Sequence, residues 1–413
     1  MHDETPLIAL IAIGLVLAFV CGYIAVRLRL SPIIGYLVAG IIMGPHTPGF
    51  TGDAHLADEL AEIGVILLLF GAGMHFSVAD LWAMRSVSVP GAVAQIIVAT
   101  GLGIGVTHLW GWSLSAGLVF GLSLSVASTV VMLRTLQANN ALDTPDGKIT
   151  IGWTIVEDLA MVLALVLLPA FFGPTLGNSA EPAHTEEGPV WLSLGMALGK
   201  VTVFIALMLV FGTRVFPWML KQTDRLQSRE LFTLAVSALA LGVAFGSAEL
   251  FGCSLALGAF FAGVVINQSD LNHRAVATLE PLQDAFGALF FVAIGMLFDP
   301  MIIVRHPVQV LAVLAIIVVG KSLAAFIIVR LLRRPLSMAL LVSAALAQIG
   351  EFSFILSGLG ISLGLISQEA ENLIIAGALL SILLNPLVFS AASRLGRVLS
   401  HPPKTAKKAT PAV

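Results

Sequence analysis

Charge is scarce in this sequence. Asp, Glu, Lys and Arg make up only 11% of its 413 residues, against about a quarter in an average soluble domain, and that shortage argues against a water-soluble fold. The formal net charge of −3 is too small to call for an acidic or basic partner. No basic stripe with interleaved aromatics appears, which sets nucleic acid aside. The two cysteines, Cys21 and Cys253, both lie in apolar stretches outside any CxxC spacing, so neither a disulfide framework nor a zinc site is expected. Paired metal ligands and a nucleophile with its base are also missing. An intramembrane enzyme is therefore not indicated, and no cofactor is expected in the chain.

What the chain does have is apolar length. Hydrophobic residues make up 58% of it and come in runs of about twenty or more, long enough at about 1.5 Å per residue to cross a hydrocarbon core of about 30 Å. Polar breaks divide residues 1–400 into segments near 7–27, 31–50, 57–79, 88–109, 114–137, 149–172, 190–217, 229–247, 250–267, 281–298, 307–330, 336–363 and 370–393. The expectation is an all-α integral membrane protein of about thirteen transmembrane helices, its main partner the lipid bilayer. The first segment follows Asp3 and Glu4 rather than a basic stretch, so it reads as a membrane helix and not as a signal peptide.

The positive charges test this division. Apart from Lys200 and Lys321 inside segments, every Lys and Arg except Arg305 falls in loops on one side. Positive loops stay in the cytoplasm. This places the amino terminus outside, the acidic loop with Glu181, Glu186 and Glu187 outside, and the basic tail 401–413 in the cytosol. The decapeptides GYLVAGIIMG of segment two and SLALGAFFAG of segment nine resemble each other and start on opposite sides. Inverted repeats are the natural reading, with helices two to six matching nine to thirteen and the fifth and twelfth segments as counterparts.

Ionisable groups at the bilayer centre cost about 2.5–3.5 kcal/mol each on insertion scales, so they point to a pathway, a partner or both. Glu157 and Asp158 lie mid-way along segment six, Lys321 in the middle of segment eleven, Gln348 and Glu351 in segment twelve, and Ser125, Ser128 and Thr129 in segment five. The stretches SLSVAST and AQIGEFS carry the Ser, Thr and Gly that let a helix release carbonyls to an ion. Adjacent Glu157 and Asp158 point about 100° apart. Asp158 is therefore assigned to the transported cation or the proton, and Glu157 to the Lys321 ammonium. The static alternatives are that Glu157 and Lys321 form only a structural ion pair, that Glu351 stabilises a helix break, and that the three hydroxyls back-bond within their own helix. A buried aspartate that holds either an alkali cation or a proton, never both, suffices to couple their exchange.

Several stretches carry a family resemblance: RLRLSPIIGYLVAGIIMGP, LAEIGVILLLFGAGMHFS, SLSVASTVVML, IVEDLAMVLALVLLP, LEPLQDAFGALFFVAIGM and AQIGEFSFIL. Across nearly all its length the chain resembles the Kef-type potassium/proton antiporters of the monovalent cation/proton antiporter superfamily. The resemblance implies a homodimer in the cell inner membrane, with core helices near 57–172 and 307–393 moving like an elevator against dimerisation helices near 7–50 and 229–298. It implies that segments five and twelve are a crossed pair of broken helices, that Asp158 binds the ion, and that Lys321 is the basic residue facing it. Two departures stand out. Kef-type proteins usually have Gln where Glu157 stands, and they usually continue into a cytosolic nucleotide-binding regulatory domain, a partner expected to be missing from this chain. Exchange of K⁺ for H⁺ is the leading expectation; exchange of Na⁺ for H⁺ and a gated K⁺ efflux channel are the alternatives.

Overall fold

The computed structural model describes residues 6–28, 30–47, 52–75, 78–142, 144–176 and 190–400. Glu181, Glu186 and Glu187, the basic tail 401–413 and Arg29 lie outside the described residues. Nearly everything described is helical: α1 (Pro6–Arg27), α2 (Pro32–Met43), α3 (Ala54–His75), α4 (Val78–Leu109), α5 (Leu114–Ser125), α6 (Thr129–Ala138), α7 (Pro145–Leu176), α8 (Val190–Leu207), α9 (Thr213–Arg225), α10 (Arg229–Phe251), α11 (Leu255–Asn267), α12 (Asn272–Leu297), α13 (Ile302–Arg305), α14 (Pro307–Ala315), α15 (Ser322–Leu331), α16 (Leu336–Ala345), α17 (Glu351–Ser362) and α18 (Gln368–Ser400). Wider π-helical turns join α8 to α9 over Met208–Gly212 and α14 to α15 over Ile316–Lys321.

Nine stretches among the described residues are long and apolar enough to cross a bilayer. The α3 helix has the length but carries Asp58, Glu59 and Glu62 near its start. Shorter apolar helices α2, α11, α16 and α17 complete the set of expected segments. Segment two does not run to residue 50 as expected; α2 ends at Met43. A helix of 12 residues reaches only about 18 Å, and seven of its residues are buried against protein.

Packing follows the inverted repeat. The α2 helix lies along α12, and α11 lies along α3; exchanging the repeats turns one pair into the other. Glycines set both contacts. A Cβ on Gly40 would sit 2.0 Å from the Val292 carbonyl oxygen, and one on Gly295 2.2 Å from that of Leu37. In the second pair, a Cβ on Gly73 would sit 2.2 Å from the Phe260 oxygen and one on Gly263 2.1 Å from that of Phe70. From Gly40 to Gly263 is 223 residues, and the N-caps Ser31 of α2 and Ser254 of α11 are 223 apart as well. The two similar decapeptides are thus four residues, about one helical turn, out of the structural register.

Segment three, expected among the core helices, packs on α11 and α12, where its three buried glycines Gly64, Gly71 and Gly73 fit that surface. The α4 helix lies against α5, α7 and α15, and α18 against α14, α16 and α17. Segments five and twelve are both broken. The α5 helix stops at Ser125 and α6 starts at Thr129, while α16 stops at Ala345 and α17 starts at Glu351.

Candidate ion-binding site

The two breaks meet. A Cβ on Gly350 would lie 2.2 Å from the Cβ of Ser128, so the missing side chain is what lets the unwound strands touch. The Gln348 amide clasps Ser128: its Oε1 accepts the Ser128 N–H at 2.9 Å and its Nε2 donates to the Ser128 carbonyl at 3.0 Å. Four half-helix ends converge here, two with free N–H groups and two with free carbonyls.

Each end has its own side chain. At the start of α6, Ser128 caps the Val131 N–H at 3.3 Å and Glu157 Oε2 accepts the Ala127 N–H at 2.9 Å. Glu351 opens α17 and accepts the Ser128 hydroxyl at 2.9 Å. Lys321 Nζ donates to the Gln348 carbonyl, beyond the end of α16, at 2.8 Å. Gln95 Nε2 donates to the Ser125 carbonyl at the end of α5 at 2.8 Å, and the Trp153 indole holds Gln95 Oε1 at 3.0 Å. Carboxylates thus sit at the positive helix ends and donors at the negative ends, the sense the helix dipole favours.

Asp158 is left over from this matching. Its Oδ2 accepts the Thr129 hydroxyl at 2.9 Å, while its Oδ1 is buried with no hydrogen-bond partner. Three carboxylates and one ammonium share the crossing. With all of them ionised the region carries a surplus of negative charge that a proton or a metal cation would cancel. Carboxylate and hydroxyl oxygens are the hard ligands that alkali cations prefer. Buried polar atoms are nearly always paired; in the crossing Asp158 Oδ1 and the neighbouring Glu157 Oε1 are both buried without a partner, and a ligand fits beside them.

The transmembrane sodium/hydrogen exchanger family model matches residues 15–394. The chain belongs to the sodium/hydrogen exchanger family. Among the relatives of this family member is a protein of Escherichia coli (strain K12) with the provisional name cation/proton antiporter YbaL, 55% identical over 390 residues that cover 94% of this chain and 69% of that one. K(+) efflux antiporter 4 of Arabidopsis thaliana is 36% identical over 89% of this chain and 61% of its own length. The solved structure of the sodium proton antiporter MjNhaP1 from Methanocaldococcus jannaschii at pH 8 superposes with a TM-score of 0.65 at 17% identity, covering 95% of this chain and 97% of that one. That similarity establishes a shared fold. The expected antiporter kinship and the sodium/proton antiporter-like fold are borne out.

In this family member the crossing gathers Asp158, Glu157, Ser128, Thr129, Lys321, Gln348 and Glu351. Two expectations take a more detailed form here. Glu157 and Lys321 are electrostatic partners in the crossing without a salt-bridge contact among the described residues; each also grips a break, one through the Ala127 N–H and the other through the Gln348 carbonyl. The Ser125 hydroxyl back-bonds to the Leu122 carbonyl at 2.7 Å, and only its main-chain oxygen belongs to the site. Sequence reading missed Gln95 and Trp153. The signal for Gln95 was a lone amide inside GAVAQIIVATG; Trp153 gave none, because aromatic residues are ordinary in apolar runs.

Proposed function

We propose that this chain exchanges a monovalent cation for protons, with K⁺ the first choice of cation and Na⁺ the alternative. The single observation that carries this reading is the buried, unpartnered Oδ1 of Asp158 beside a crossing of broken helices. A cation held by Asp158 displaces the proton, and a proton displaces the cation. When only a neutralised site changes sides, each proton is traded for a cation. No step requires nucleotide hydrolysis. K⁺ is favoured because the Arabidopsis relative is named a K⁺ efflux antiporter.

In this reading the helices are spans of an inner-membrane protein with thirteen crossings, amino terminus outside. Helices α4–α7 and α14–α18 move as an elevator against α1–α3 and α10–α12, and two copies associate through the latter set. Its support is the packing, which groups the helices in this way. Glu157 and Lys321 balance the half-helix ends during the movement.

The test is dye-reported exchange in proteoliposomes with K⁺ and Na⁺ gradients, on wild type and Asp158→Asn. Proton movement that requires the cation and disappears in the variant is the expected result. Cation flux without protons identifies a channel, and exchange that survives Asp158→Asn removes the carboxylate from the mechanism.

A further inference from the structure

Two cavities open on opposite faces, and their walls differ in chemistry. One, of about 470 Å³, lies where the starts of α3, α11 and α18 meet the ends of α12 and α17; its polar lining includes Asp58, Glu62, Gln368 and Glu371. The other, of about 380 Å³, lies at the opposite face between α6, α18 and the link from α1 to α2, and Ser31, Thr135 and Asn385 contribute to its lining.

Below the first cavity a polar stripe runs down α17 in an otherwise apolar region. Glu371 is 4% exposed and accepts from Gln368 Nε2, with the Ser357 hydroxyl at 3.5 Å from its other oxygen. Ser353 is one turn deeper on the same face of α17. It is fully buried and its hydroxyl has no partner. A buried hydroxyl without a protein partner calls for water. Ser353 stands two residues past Glu351, whose carboxylate accepts the Ser128 hydroxyl at the crossing.

The repeat supplies the comparison. Thr135 is seven residues past Ser128, and Ser357 seven past Gly350, so the two hydroxyls occupy matched places on α6 and α17. Thr135 donates to Asn385 of α18 at 3.1 Å, where Ser357 meets Glu371 of the same helix. Val131 stands at the place matching Ser353. One face therefore offers a carboxylate and a second, deeper hydroxyl, and the other an amide and an apolar side chain. A carboxylate accepts and releases a proton; an amide does not.

We propose that Glu371, Ser357 and Ser353 form a proton access branch from the α17–α18 face to the crossing. The proposal rests on the antiport reading and deepens it. A proton is taken up by the Glu371 carboxylate from cavity water. It passes along hydroxyl and water, each group receiving one proton as it gives one up, and ends on the carboxylate of the exchange site. Asp58 and Glu62 of α3 face the same cavity and concentrate positive charge at its mouth. Near Glu371, Glu369 lies 3.7 Å from His306, the Asn372 side chain accepts the Asp299 N–H, and Asp299 holds Arg305 at 3.0 Å with His46 3.9 Å away.

The experiment measures exchange in right-side-out and everted vesicles while pH is varied on one face at a time. With Glu371→Gln, the proton concentration giving half-maximal exchange on the α17–α18 face rises about tenfold, the lower end of what a charged cleft provides. The same quantity on the other face, and the half-saturating cation concentration, do not change. Asp58→Asn with Glu62→Gln shifts the same face by less, and the shift fades as salt is added. An unshifted Glu371→Gln profile on that face, or an equal shift on both faces, overturns the branch. If Glu371→Gln is not recovered as a folded protein, Ser353→Ala with Ser357→Ala decides by the same one-face shift. A wild type without proton-coupled exchange counts against the antiport reading itself; a wild type that exchanges beside unshifted variants counts against the branch alone.

Discussion

Replacing Lys321 with Met removes two things at once. The side chain is fully buried and its ammonium donates to the Gln348 carbonyl at 2.8 Å. Methionine fills similar space but leaves that carbonyl without its donor, which costs about 1–3 kcal/mol. It also leaves Glu157, equally buried, with no positive charge in the crossing. Removing one member of a buried pair of opposite charges costs about 3–5 kcal/mol. Because no direct ion pair joins the two side chains, the lower end of that range applies. Adding Glu157→Gln to Lys321→Met removes the stranded charge and keeps a hydrogen-bonding side chain near the Ala127 N–H. The double variant is then more stable than Lys321→Met alone by about 2 kcal/mol, with the carbonyl penalty remaining. The assay is a double-mutant cycle on purified protein: denaturant unfolding in detergent, followed by size-exclusion recovery. A double variant no more stable than Lys321→Met would show that the two charges do not compensate each other across the breaks.

Thr129→Val takes away the hydroxyl that positions Asp158 Oδ2. The half-saturating cation concentration in the exchange assay rises about tenfold, equal to about 1.4 kcal/mol, whereas Thr129→Ser stays near wild type. Gly350→Ala pushes a methyl into Ser128 at 2.2 Å and destabilises the crossing by about 1–3 kcal/mol, read as lost exchange and lower thermal stability. Gly101→Ala is the matched control. Nothing lies within 4 Å of the added methyl, so stability holds or rises by up to about 1 kcal/mol.

Much of the architecture was legible along the chain because lipid leaves few options. A segment in hydrocarbon must satisfy its own backbone and so becomes a helix, and a charge placed there is expensive enough to stand out. That is why the apolar segments and the depth of Asp158, Glu157, Lys321 and Glu351 could be read before any coordinates. The breaks in segments five and twelve were visible for a related reason: Ser and Gly are what an unwound stretch requires.

Contacts were not legible in the same way. Nothing in the order of residues says that Lys321 also grips a backbone carbonyl, that Gln95 closes the end of α5, or that the repeats are in register through Gly40 and Gly263 and not one turn away. The α3 helix shows the difference most clearly. Its composition is that of any apolar helix with an acidic start, and the close fits of Gly73 to the Phe260 carbonyl and of Gly263 to the Phe70 carbonyl place it beside α11. Sequence by itself determined which residues are too costly to bury without purpose, because that cost depends on residue type and depth alone. The tertiary structure decided which of them touch, because partnership depends on directions in space to within an ångström, and chain order does not encode those directions locally.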